Sequence, residues 1–197
     1  MYLDEQELFD LRRSLETIRD IVRFLQKSDD DEEEGTSPYP CLKRLAGDIT
    51  VFPQLIAKIN GILSPYGKIK DNASTELARI RRELASTMGS ISRSLNSILR
   101  NAQSEGVVDK DVTPTMRDGR LVIPVAPALK RKIRGIVHDE SASGKTVFIE
   151  PAEVVEANNR IRELEGDERR EIIRILTGFS NQLRPSIPDV LLAYCLL

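Results

Sequence analysis

Residues 117–159, RDGRLVIPVAPALKRKIRGIVHDESASGKTVFIEPAEVVEANN, place a short-period, β-branched segment between two long stretches of helical period. On the N-terminal side, Leu77, Ile80, Leu84, Met88, Ile91, Leu95, Ile98 and Ala102 form one apolar stripe. It runs for about 30 residues, roughly 45 Å of helix at 1.5 Å per residue. On the C-terminal side, Val154, Val155, Ile161, Leu164, Ile172, Ile175, Leu176, Phe179 and Leu183 carry a second helical pattern behind Pro151. Two helices of similar length flanking a small β segment predict antiparallel neighbours with the sheet at their far end. The fold class expected is mainly α, with a helical core, two long antiparallel helices and a small antiparallel sheet.

The punctuation refines this outline. Asp4 can cap a first helix in which Leu8, Leu11, Leu15, Ile18, Val22 and Leu25 recur at steps of three and four. The acidic run 29–34, followed by Gly35, Pro38 and Pro40, reads as a solvated linker rather than a binding tail. Short helices are expected around 42–47 and 53–63, before Pro65, Gly67 and Asn72 break the pattern. Ser74 or Asn72 should cap the long helix, and Gly106 and Pro114 should end it. Strands are expected at 120–125, 132–138 and 146–149, with Asp118-Gly119 as a hairpin turn. In the returning helix, the stretch 165–171 is polar all round and is expected to be exposed on both sides. Pro185 and Pro188 should end that helix.

Charge is segregated along the chain. Residues 1–34 hold 12 acids against 5 bases, whereas residues 115–149 hold 7 bases against 3 acids. This segregation carries more information about partners than the net charge of −2. The cations of the second segment are Arg117, Arg120, Lys130, Arg131, Lys132, Arg134 and Lys145. If 132–138 is a strand extending back to 130, Lys130, Lys132 and Arg134 share a face and can meet a phosphate backbone. On residues alone, a solvated edge strand protected by lysines explains them equally well. No recognition helix, zinc finger or aromatic stacking platform points to base-specific readout.

The catalytic temptations fail on chemistry. Ser143-Gly144-Lys145-Thr146 resembles the end of a P-loop, but Asp139 stands where the first glycine is required, and the following Val147-Phe148-Ile149 reads as strand. His138, the sole histidine, is adjacent to Asp139 on a strand, so the two side chains point to opposite faces. A turn hydrogen-bonding its own backbone is the reading preferred for His138. Cys41 and Cys195 have no metal or redox spacing, and one histidine cannot build a typical zinc site. No catalytic, cofactor or metal residue is assigned. Without a signal peptide or an apolar run near 18 residues, the chain reads as soluble and cytoplasmic, with no membrane contact. The apolar ending Val190-Leu-Leu-Ala-Tyr-Cys-Leu-Leu197 reads as the start of an element cut short, so a larger protein is expected.

Several runs resemble one family in order along the chain. They are Gly67-x-Ile-x-Asp-Asn-Ala-Ser-x-Glu-Leu-x-x-Ile-Arg81, Thr115-Met-Arg-Asp-Gly-Arg-Leu-Val-Ile-Pro-Val125, Gly135-Ile-Val-His-Asp-Glu-Ser-Ala-Ser-Gly144, Phe148-Ile-Glu-Pro151 and Val154-Val-Glu-x-Asn-Asn159. Together they resemble the second type of bacterial MutS paralogue, linked to recombination control. The resemblance implies part of a helical core at 1–73, a first lever helix at 74–108 and a small β clamp at 109–150. A returning lever follows at 151–185, and a truncated core element begins at 186. For the full-length family it implies a homodimeric DNA-binding ATPase using ATP and Mg, usually with an Smr nuclease domain. Branched or structured DNA is the implied partner, and rescue of collided ribosomes is the alternative role. This sequence departs from the family in having no P-loop or Smr segment, so enzyme activity is not carried onto it.

Overall fold

The computed structural model describes residues 1–26 and 40–196. Helices α1 (Glu5–Gln26), α2 (Pro40–Gly47), α3 (Pro53–Ile62) and α4 (Thr75–Ser104) come first. Strands β1 (Thr115–Arg117), β2 (Arg120–Val125), β3 (Gly135–Glu140) and β4 (Val147–Pro151) follow, then α5 (Val155–Leu183) and α6 (Ile187–Leu196). The protein is thus mainly α with one small antiparallel sheet. The acidic run 29–34 lies outside the described residues. Among the described residues, no helix is long and apolar enough to cross a membrane. The chain divides into two compact units, Met1–Ala78 with Glu171–Leu197, and Arg79–Arg170.

In the first unit, Asp4 caps α1 as expected and does so reciprocally. The Glu7 amide donates to Asp4 Oδ1 at 2.8 Å, and the Asp4 amide donates to Glu7 Oε2 at 2.9 Å. This capping box satisfies two amides that the first helical turn leaves unpaired. Leu8 and Leu15 of α1 then pack in one cluster with Leu55, Ile56 and Ile59 of α3, Leu77 of α4, and Leu176, Phe179 and Leu183 of α5. Arg12 interrupts the apolar face yet is buried. Its guanidinium donates to the carbonyls of Ser64 at 3.0 Å and Pro65 at 3.1 Å, so the burial leaves no donor stranded there. Ser74 caps α4, its hydroxyl accepting the Leu77 amide at 2.9 Å, and donates in turn to Glu171 at 2.6 Å.

The second unit is built on a four-stranded sheet of order β1-β2-β4-β3, antiparallel throughout. Asp118 and Gly119 both have positive φ, 48° and 74°, which is what a two-residue hairpin turn between β1 and β2 demands. One sheet face contributes Ile123, Val125, Val147 and Ile149 to a core completed by Ile91, Leu95, Leu99 and Ala102 of α4 and Ile161 of α5. Within this unit α4 and α5 run antiparallel, tied by Arg81 to Glu168 at 2.6 Å and by Arg160 to Glu83 at 2.6 Å. Gly106 (φ 71°) closes α4, with the Val107 amide reaching back to the Ala102 carbonyl at 2.8 Å.

Three expectations need correction. The polar stretch 165–171 is not exposed on both sides: Glu168 pairs with Arg81, and Glu171 is buried, receiving Ser74 and Arg174. The α4 stripe also drifts, because 3.6 residues per turn does not repeat on whole steps. Leu99 is buried while Ile98 only packs at the margin, Leu84 is half-buried, and Met88 is exposed. Pro151 ends β4 instead of opening α5, and a 3₁₀ turn over Ala152–Val154 intervenes. The returning helix ends at Leu183, just before Pro185 and Pro188, as expected, and Pro188 sits in the first turn of the following α6, where its missing N–H costs nothing.

These burial differences give a stability test. Leu95→Ala, at a site with no exposure, should cost about 2–5 kcal/mol in chemical denaturation. Met88→Ala should stay within about 0.5 kcal/mol. Equal losses at both positions would contradict the drift of the buried face.

Candidate nucleic-acid interface

All five residues of β4 are buried, and Glu150 among them has no exposed surface. An isolated carboxylate there would be costly, so its partners decide the local architecture. Glu150 Oε1 receives Arg120 at 2.7 Å and Asn158 Nδ2 at 2.8 Å, while Oε2 meets His138 Nε2 at 2.5 Å. Arg120 also reaches Asn159 Oδ1 at 2.6 Å, and Asn158 exchanges two bonds with the Leu121 backbone. One network therefore joins β2, β3, β4 and the start of α5. Burial pushes the Glu150 carboxyl up, but hydrogen bonds from Asn158, His138 and Arg120 outweigh it and hold the group below the usual carboxylate range. His138 therefore bonds across the sheet, which overturns the expected turn hydrogen-bonding its own backbone.

Gly135 fixes how closely β3 approaches β4. A Cβ at that position would lie 2.1 Å from the Glu150 carbonyl oxygen, so no side chain fits there. Upstream of it the chain is not strand. Residues Pro127–Lys132 form a 3₁₀ turn, begun by the fixed φ of Pro127 and by the Leu129 amide donating to the Ala126 carbonyl at 2.9 Å. This corrects the expected strand at 132–138. Lys130, Arg131 and Lys132 consequently fan around a three-residue turn instead of sharing one strand face. All three are exposed, as is Arg134, with buried Ile133 anchoring the run between them.

The remaining expected cations have separate fates. Lys145 is exposed at the β3–β4 turn, at the opposite end of β3 from Arg134, roughly 20 Å away for a six-residue strand. Arg117 lies over the Phe148 ring, 4.1 Å from its centroid. Arg120 is committed to Glu150 and Asn159, which keeps it from reaching outward. The structure thus gathers Lys130, Arg131, Lys132 and Arg134 and separates the other three. The turn around Ser141–Lys145 bonds within itself, Thr146 N–H to Ser141 Oγ at 3.0 Å, and leads into β4. A P-loop leads into a helix whose amides face phosphate, and this turn leads into a strand instead. Among the described residues, no group of His, Cys, Asp and Glu is arranged to hold a metal ion.

Sequence reasoning quoted Glu150, Asn158 and Asn159 only as parts of recurring runs and missed that they meet. The available signal was an acidic residue inside an otherwise apolar strand, which demands a buried partner. Glu150→Ala should cost about 3–5 kcal/mol, because buried Asn158 and largely buried Arg120 lose their acceptor. Since the folded carboxyl titrates below its ordinary 4.5, its stabilisation is present above that pH and is lost as pH falls through the folded value. Acid unfolding curves should therefore be flatter in Glu150→Gln than in the parent chain. Identical acid sensitivity of the two would remove Glu150 from the linkage.

No protein-family model matches the chain. Curated relatives named "Endonuclease MutS2" do. The protein of Finegoldia magna is 39% identical over 182 residues, covering 92% of this chain and 22% of the relative. That of Pelotomaculum thermopropionicum is 39% identical over 90% of this chain and 22% of its own length. That of Alkaliphilus oremlandii is 36% identical over 96% of this chain and 23% of its own length. The chain spans about a fifth of the length of these relatives. Across some nine-tenths of its residues, the chain is homologous to a segment of the MutS2-type proteins, the second type of bacterial MutS paralogue.

Proposed function

We propose that the sheet-bearing unit contacts the sugar–phosphate backbone of branched or structured DNA in recombination control. The observation that carries this reading is the run Lys130, Arg131, Lys132 and Arg134, all exposed and, among the described residues, unpaired by any carboxylate. Free cations on a turn held by a buried anchor suit phosphate contact, which positions a protein without reading bases. Homology to proteins named endonucleases supports a nucleic-acid partner. Arg117 and Lys145 are peripheral contributors in this reading, and Arg120 supports the frame from inside.

The chain acts here as a binding segment and not as an enzyme. ATP and Mg, nuclease activity and dimerisation through an ATPase belong, in this reading, to the longer MutS2-type architecture. The second role, docking of the same cations on a ribosome, would use the same chemistry on a different polyanion. A cytoplasmic location accommodates either partner.

Replacing Lys130, Arg131, Lys132 and Arg134 together by Ala should weaken DNA binding to a similar degree across sequences. Four lost phosphate contacts should reduce the log–log salt slope by about 3.6, at roughly 0.9 per contact. The 197-residue chain alone should bind no tighter than the non-specific range of about 10⁻⁴–10⁻⁶ M. An unchanged salt slope in the quadruple variant, measured by mobility shift on duplex and four-way-junction DNA, would refute the contact. Cosedimentation with ribosomes that is lost in the same variant while DNA binding persists would favour the ribosomal role.

A further inference from the structure

β3 stands at the outer edge of the sheet, and of its six residues only His138 is not exposed. The opposite edge, β1, is three residues long, which blunts it as a pairing template. β3 has no such protection along most of its length. It contains no proline or lysine, and its one irregularity falls between Val137 and Asp139. Ile136 and Val137 at its centre are each 48% exposed, a notable apolar pair on a free strand edge.

Charge is distributed unevenly along this edge. Lys132 and Arg134 precede the strand, whereas Asp139 and Glu140 end it. Among the described residues, Lys132, Arg134 and Glu140 have no side-chain partner, and Asp139 accepts only the amide of its neighbour Glu140 at 2.8 Å. A second strand of the same sequence laid antiparallel would bring its acidic end to this basic end and the reverse, twice over by symmetry. A parallel strand would set like charges side by side, which is unfavourable. The antiparallel arrangement also covers Ile136 and Val137 with their counterparts.

We propose that the β3 edge is a self-recognition surface, pairing antiparallel with β3 of a second copy of this chain to continue the sheet across a two-fold axis. The inference is independent of the nucleic-acid reading, although Lys132 and Arg134 figure in both. Lys130, Arg131 and Lys145 lie outside the paired strand and remain available to phosphate.

The test is sedimentation equilibrium of the 197-residue chain at low salt, with Asp139→Lys/Glu140→Lys and Lys132→Glu/Arg134→Glu as paired variants. The parent chain should dimerise, each variant alone should dissociate at least about tenfold more readily, and an equimolar mixture of the two should regain the parent affinity. A parent chain that stays monomeric up to about 1 mM would overturn the proposal, as would a dimer indifferent to both reversals or a mixture that fails to recover. Should a reversal disturb folding, Ile136→Cys and Val137→Cys, made singly with Cys41→Ser and Cys195→Ser, give a second readout. At least one should form an intermolecular disulfide on mild oxidation, and crosslinking by neither would also overturn the proposal. Because Asp139 and Glu140 lie outside the phosphate-contacting cluster, loss of dimerisation in Asp139→Lys/Glu140→Lys with DNA binding retained supports this inference apart from the nucleic-acid reading, whereas a dimer indifferent to that reversal overturns it and leaves the nucleic-acid reading standing.

Discussion

A carboxylate with no exposed surface is the constraint on which the sheet-bearing unit depends. Glu150 sits in the strand that pairs on both sides, so whatever satisfies its charge must come from neighbouring elements. Arg120 arrives from β2, His138 from β3 and Asn158 from α5, and each is held in turn by where its own element lies. Buried ionic groups contribute little net stability compared with apolar packing, but they penalise alternative registers severely. A one-residue slip of β2 or β3 would move Arg120 or His138 to the other face and leave Glu150 uncompensated. The network therefore specifies register where a short sheet would otherwise specify it weakly.

That frame explains why the outer cations can be arranged as they are. The 3₁₀ turn carrying Lys130, Arg131 and Lys132 is short and has few bonds of its own. It hangs between β2 and β3, whose spacing is set by β4 and the Glu150 contacts. Ile133, buried against the unit's core, pins the turn's end, and the Arg134 carbonyl accepts the Ala152 amide at 3.0 Å. The cations therefore project from a fixed base, and less rotamer and backbone freedom is lost when a polyanion engages them.

Much of this was legible in residue pattern, and the parts that were not have specific causes. The hairpin at Asp118-Gly119, the strand Arg120–Val125, the Ser74 and Asp4 caps and the two long helices all rest on local chemistry, which sequence records directly. The strand expected at 132–138 begins three residues late, at Gly135, because Lys132 still belongs to the 3₁₀ turn Pro127–Lys132, while the basic run 130–134 suits an edge strand equally well. Pro127 was the signal against it, since a proline that fixes the first φ favours a turn. The polar stretch 165–171 was misjudged for a different reason. Its partners, Arg81 and Ser74, lie some ninety residues earlier, and no local pattern announces a pairing at that separation.

The site was legible to a different degree. Composition picked out the seven cations but could not say which were free. Arg120 and Arg134 look alike in sequence, each beside a glycine at the edge of an apolar run, yet one faces Glu150 and the other solvent. The difference follows from a single strand parity. Arg120 shares a face with Glu150 once β2 and β4 pair Ile123 with Ile149, whereas Arg134 precedes the point where β3 begins to pair. Charge clusters in a β-rich segment thus divide into structural and surface members only when register is known. The buried carboxylate that fixes the register is what makes that division, since the cation it captures is withdrawn from any outside partner.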